Sequence, residues 1–199
     1  MHNIITNRNN NGKLVGITGS VASGKSSVLS YLKELGYEVF SADEVVKEMY
    51  KSEAVQQKVL EILPEIEAFS KARIASVIYS DQAKRIKLEN FIHPIIRQRL
   101  KVFRGGLGGN LGFAEIPLLF EKALEKEFDY VIVISCSGLI RKKRAIERGM
   151  LPDVFDMICK IQMPDEEKQK RADFVIKTDV DLISWKKNLG EIIKNLEQA

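Results

Sequence analysis

Residues 13–35 read KLVGITGSVASGKSSVLSYLKEL, and the order of residue types in that stretch decides the fold. Its centre, Gly19 to Ser26, spells G-x-x-x-x-G-K-S. That spacing wraps backbone N–H groups around a polyphosphate and hands the charge to a helix start. Before it, KLVGIT (13–18) is a short apolar run suited to a buried strand. After it, Val28, Leu29, Leu32 and Leu35 recur at helical spacing, and Gly36 closes the helix. Strand, glycine loop, helix is the context the motif demands. Gly19 and Gly24 satisfy a turn whose angles and close approaches a Cβ would obstruct. Lys25 is placed to reach the terminal phosphates, and the Ser26 hydroxyl to ligate Mg²⁺. The stretch predicts a nucleotide site made by Gly19, Val21, Ala22, Ser23, Gly24, Lys25, Ser26 and Ser27.

Further along the chain, GYEVF (36–40) reads as a second strand, and Ser41 can cap the helix that begins in SADEVVKEMY. From 44 to about 104 the pattern is almost wholly helical. It ends in a long amphipathic piece over 80–103 that Pro94 is expected to bend or restart. RGGLGGNLG (104–112) lacks the spacing of a dinucleotide loop and reads as a flexible connector. LGFAE (111–115), YVIVIS (130–135) and DFVIK (173–177) are further strands. A basic helix (137–149), two short helices begun near Pro152 and Pro164, and a closing helix (179–196) separate and follow them. Five strands alternating with helices predict a parallel α/β sheet.

Composition sets the outer bounds. The chain has 199 residues, 45% of them hydrophobic and 29% charged, as in an ordinary soluble domain with one buried core. A net charge of +4 is ordinary solubility, and the absence of interleaved aromatic residues argues against a nucleic-acid partner. Two cysteines, Cys136 and Cys159, and two histidines, His2 and His93, cannot assemble a zinc set and suit a reducing compartment. No long apolar run marks a signal peptide or a membrane span, so a cytoplasmic protein is expected, with a monomer as the default. Residues 1–13, rich in asparagine, are read as a tail outside the packed domain.

Two carboxylates fall on the edge of the sheet where ligands bind. Asp43 follows the second strand and Glu115 ends the third, so both share an edge with the glycine loop. Asp43 could take a proton from an attacking hydroxyl, hold Mg²⁺, or simply favour a helix start. Glu115 could face the phosphates or be a solvated strand end. Arg141, Arg144 and Arg148 lie within two turns of one helix face, either clamping phosphate charge or forming a solvated basic surface. His93 sits among apolar residues with Arg97 on its face one turn later.

Taken together, these segments closely resemble the dephospho-CoA kinase family. The likeness runs from Leu14 to the last helix and rests on GITGSVASGKSSV, ADEVV, LENFIHPIIR, EIPLLFE and IQMPDEEKQKRADFVI in this order. It implies ATP and dephospho-CoA as substrates, Mg²⁺ as cofactor and transfer to the ribose 3′-hydroxyl, the last step of coenzyme A synthesis. The implied fold is a P-loop kinase: a five-stranded parallel sheet flanked by helices, a helical CoA-binding insertion over about 44–104, and a lid over about 138–165. The core would be 14–43 and 110–199. By the same resemblance Asp43 matches the catalytic base and Arg144 and Arg148 match lid arginines acting with Lys25 on ATP. His93, Arg97, Pro117, Leu118, Leu119 and Glu121 match the acceptor side. Three departures are visible. Ser41 stands where the family usually has Asp, Arg141 where it often has Gln, and Lys177-Thr178 where an Asn commonly lies near the adenine. The segment at about 61–75 also looks shortened.

A different small-molecule hydroxyl kinase of the same fold would lack HPIIR and PLLFE. A nucleotide-binding regulator would have no use for a carboxylate and a substrate insertion beside the loop. A GTPase would need N-K-x-D, which this chain does not contain.

Overall fold

A computed structural model describes residues 12–198. The predicted strands form as β1 (Leu14–Thr18), β2 (Glu38–Ser41), β3 (Gly112–Glu115), β4 (Tyr130–Ser135) and β5 (Phe174–Lys177). They make one sheet in the order β2-β3-β1-β4-β5, parallel throughout. Every connection therefore crosses over, and all five strand C-termini share one edge.

Alternation along the strands divides the core. Val15, Ile17, Phe113, Ile132 and Ile134 face α1 (Lys25–Glu34) and α9 (Leu182–Gln198), where Val28, Leu32, Trp185 and Leu189 complete the layer. Leu14, Ala114, Val131 and Val133 face the opposite layer with Phe40, Leu100, Leu119 and Phe128. This two-sided burial is why YVIVIS carries no polar alternation.

The helical insertion comprises α2 (Ala42–Met49), α3 (Glu53–Ile62), α4 (Lys71–Ser80) and α5 (Gln82–Gly106). It has a core of its own, in which Val59, Leu63, Ile66, Ile74 and Leu88 are buried. α5 runs through Pro94 as one helix, so the proline does not restart the chain there. Leu88 and Ile92 on one side of the proline and Leu100 on the other are anchored in two different core clusters, which holds both halves in one helix. The glycine-rich connector is also more ordered than its composition implies. Gly105 and Gly106 finish α5, and Leu107 is buried against Gly112 at the start of β3.

The stretch expected to form a lid, about 138–165, contains α6 (Gly138–Glu147) and α7 (Pro152–Ile161), and α8 (Asp165–Arg171) leads into β5. α7 touches α4 of the insertion, so the lid and the insertion meet above the sheet edge. The N-terminal tail lies outside the described residues except for its last two positions. Among the described residues no helix is long and apolar enough to cross a membrane.

Candidate active site

The loop after β1 is built for an anion. Gly24, in the left-handed region at φ 98°, is the N-cap of α1, with no side-chain cap and no acidic residue in the first turn. The first N–H groups of the helix therefore keep their donors and their positive end for a ligand. A Cβ on Gly19 would lie 2.3 Å from the Ile134 carbonyl oxygen, so only glycine lets the loop cross β4 at that point. Ala22 also takes positive φ, at 58°, a costly conformation of the kind that persists at ligand clamps.

Residues far away in sequence hold this loop. The Val21 N–H donates to Gln162 Oε1 (2.8 Å). The Ser20 hydroxyl donates to Asp165 (3.2 Å), whose other oxygen accepts from Ser135 (2.6 Å) and Gln169 (2.9 Å). Arg141 reaches the carbonyls of Cys136 (3.2 Å) and Val21 (3.5 Å). The polar cluster after α7 thus clasps the phosphate loop from behind. Its residues were visible as a family motif, but nothing in the spacing assigned them this role.

Lys25 lies half-buried across the loop, its ammonium donating to the carbonyls of Gly19 (2.8 Å) and Ser20 (3.2 Å). Burial lowers its pKa, while the carboxylates of Glu115 and Asp43 act in the opposite direction. Those two carboxylates meet at the ends of β2 and β3. Asp43 is exposed in the first turn of α2. Glu115 is not the solvated strand end that the sequence allowed, because it is only 4% exposed. Burial, with the charge of Asp43, pushes its carboxyl up to about 7, against the opposing pull of Lys25 and of a hydrogen bond from Ser41.

Ser41 sits opposite Glu115 in the β2–β3 register and does two jobs there. Its Oγ donates to Glu115 Oε2 (2.9 Å) and accepts from the Glu44 N–H (3.3 Å), capping α2. A serine here supplies a hydrogen where an aspartate would add a third charge beside Asp43 and Glu115.

Beside Asp43 opens a groove of about 340 Å³ between the sheet edge and the insertion. Asp43, His93, Arg97, Pro117 and Leu118 all line it, so five predicted acceptor-side residues come together. Val46, Ile78, Leu88, Ile92 and Ile116 supply apolar walls, and α7 contributes Ile158 and Ile161. Lys122 pairs with Glu89 (2.6 Å) and Arg97 with Glu127 (3.6 Å) at the polar side. Burial lowers the pKa of His93, and Lys122 and Arg97 add to that effect against Glu89. Tyr79, which sequence reasoning did not single out, lines the groove close enough to Asp43 that the carboxylate helps to raise its pKa after burial.

Two predicted residues point elsewhere. Leu119 is wholly buried in the core beneath the sheet and does not line the groove. Glu121 accepts from the Met163 N–H (2.8 Å) and pairs with Lys168 (2.9 Å), whose side chain is fully buried. Its carboxylate therefore ties the turn at 117–123 to the segment that clasps the phosphate loop. The lid arginines also differ. Arg144 bonds to Thr178, whereas Arg148, at the C-terminal end of α6, is exposed.

Oxygen donors on the loop's side of the sheet edge include the Ser26 hydroxyl at the start of α1 and the carboxylates of Asp43 and Glu115 at the ends of β2 and β3. Hard oxygens of this kind suit Mg²⁺ that shares its ligands with substrate phosphates.

Comparison with known proteins is consistent along the chain. The dephospho-CoA kinase family model matches residues 13–183. A dephospho-CoA kinase from Rickettsia conorii is 43% identical over 185 residues, covering 92% of this chain and 97% of that protein. Among solved structures, a Thermus thermophilus protein superposes with a TM-score of 0.80 at 28% identity, over 93% of this chain and 98% of its own. Shikimate kinase from Acinetobacter baumannii, at 15% identity, shares the fold with a TM-score of 0.58 over 92% and 94% of the two chains.

Proposed function

The chain belongs to the dephospho-CoA kinase family, and from that premise we propose how its residues divide the work of the reaction. The activity is ATP-dependent phosphorylation of dephospho-CoA in coenzyme A biosynthesis. The acceptor atom we assign is the ribose 3′-hydroxyl. One juxtaposition carries the assignment of roles: the uncapped start of α1, with Lys25, shares a sheet edge with Asp43, and Asp43 opens onto the apolar groove.

In this reading the loop at 19–27 holds the triphosphate through backbone N–H groups, and Lys25 turns from the Gly19 and Ser20 carbonyls to the terminal phosphates. Arg144 adds a guanidinium beside the loop, and Arg148 joins from the exposed end of α6. The groove takes the acceptor, with His93 and Arg97 at its polar side and Pro117 and Leu118 in its wall. Asp43 holds the ribose hydroxyl and accepts its proton as oxygen attacks phosphorus. A ribose hydroxyl is a poor nucleophile at neutral pH, so such a base contributes roughly 10²–10⁴-fold. Ser26 would hold Mg²⁺, which supplies charge neutralisation for the transferring phosphoryl group. The free thiols of Cys136 and Cys159 suit the cytoplasm.

Mass detection of coenzyme A after incubation with Mg-ATP and dephospho-CoA measures the reaction, and Asp43→Asn tests the base. The variant keeps the shape and an acceptor oxygen but cannot take the proton. Both substrates should bind within a few-fold of wild type, while kcat falls by roughly two orders of magnitude or more. Titrating Mg²⁺ then decides between roles. A low, flat response supports the base, recovery at high Mg²⁺ makes Asp43 a metal ligand, and wild-type activity leaves it only a helix-start residue.

A further inference from the structure

Thr178 lies in the Lys177-Thr178 pair just after β5, and its hydroxyl both donates and accepts. It follows β5, is only 6% exposed, and extends the ladder by donating its N–H to the Ser135 carbonyl (2.9 Å). Its Oγ donates to the Ser23 carbonyl (2.5 Å), inside the phosphate loop. The same oxygen accepts from the Arg144 guanidinium (3.1 Å), and the Thr178 carbonyl accepts a second bond from Arg144 (2.7 Å). A Cβ built on Gly24 would lie 3.1 Å from that hydroxyl, so threonine and loop are in close contact.

A hydroxyl has a single hydrogen. Here the Ser23 carbonyl takes it, which leaves none to read an adenine base and turns a lone pair towards Arg144. The loop thus orients the hydroxyl, and the hydroxyl together with its own carbonyl orients the arginine. An arginine carries substantial rotamer entropy, and ordering it in advance removes that cost from the step in which charge shifts.

From this chain of contacts we infer that Thr178 is a positioning residue for phosphoryl transfer, holding the Arg144 guanidinium against the phosphate loop. The inference rests on the reading of Arg144 as a phosphate-facing residue, and its contribution falls on turnover rather than on acceptor binding.

The test is a double-mutant cycle with a conservative rescue, each protein checked for a wild-type circular dichroism spectrum. Thr178→Val keeps the shape but loses the hydroxyl. Its kcat should fall roughly tenfold, the scale of one hydrogen bond to a charged group, with the KM for dephospho-CoA unchanged. Thr178→Ser should stay within about twofold of wild type, and Thr178→Val should cost less than about twofold once Arg144 is already Ala. Wild-type kcat in Thr178→Val overturns the inference, as does a full tenfold loss that persists in the Arg144→Ala background. Arg144→Ala with undiminished kcat overturns the underlying reading instead, and that single variant reports it independently. Should Thr178→Val be insoluble, Thr178→Ala supplies the same cycle.

Discussion

On the loop side of the cleft, polar contacts reach across the chain, whereas the insertion side is a largely aliphatic groove whose Lys122 and Arg97 are already paired. Val21 N–H, the Ser20 hydroxyl and the Ser23 carbonyl are each engaged by a side chain from a different element, Gln162, Asp165 and Thr178. In the groove Val46, Ile78 and Ile92 offer shape, and Glu89 and Glu127 pair with Lys122 and Arg97. Under the proposed assignment, the difference follows from what each side handles. A phosphate chain in transfer needs donors fixed within tenths of an ångström, since charge moves there. An acceptor needs to be gripped and oriented, which buried area and a few polar groups achieve.

If this division is right, removing Lys25 gives the largest loss. Lys25→Ala deletes the loop's own cation and should lower kcat by roughly 10²–10³-fold, the scale of one preorganised electrostatic group. Dephospho-CoA binding in the absence of ATP should be unchanged by calorimetry. Near-normal turnover in the folded variant would remove the phosphate loop from the mechanism.

Glu115 probes the seam between the two sides through pH. Its carboxyl is raised from 4.5 to about 7 in the fold, chiefly by burial, so the fold favours the protonated form. The associated stability is fully present below pH 4.5 and is lost as pH rises to about 7, then levels off. Glu115→Gln is neutral throughout and can still accept from Ser41. Its stability relative to wild type should therefore climb across that window by up to ~3 kcal/mol, read by urea denaturation at several pH values. Parallel pH curves for the two proteins would mean that burial does not perturb Glu115.

The smallest effect is expected on the acceptor side. Arg97 is exposed at the groove, with Glu127 as its partner. Arg97→Ala should raise the KM for dephospho-CoA about tenfold, leaving the KM for ATP and kcat within about twofold. A rise in the KM for ATP of equal size would show that the sides are not separable.

How far the sequence carried each side depended on the range of the interactions. The phosphate loop was legible because a strand, four specified positions and a helix all lie within 13–35. The groove was legible only through the family motifs, since Asp43, His93 and Pro117 come from α2, α5 and the turn after β3. At Pro94 the helix does not restart, because the local cost of an interior proline is outweighed by burial at Leu88, Ile92 and Leu100. The motif around Glu121 drew attention to the right segment, but not to its pairing with the buried Lys168.

By itself the sequence determined the parallel α/β order, the phosphate loop, the Ser41 cap and the presence of Asp43 beside them. Periodicity, caps and glycine spacing act over a few residues, so they can be read along a line. Only the tertiary structure decided which carboxylate is buried, which acceptor-side residues reach the groove, and that Arg144 is tied to Thr178 while Arg148 is free in solvent. Ser41 meets Glu115 across 74 residues of chain and Thr178 meets Ser23 across 155. Burial and hydrogen-bond geometry at such contacts exist only once the chain has closed on itself, and in this protein they set charge and orientation at the reacting edge.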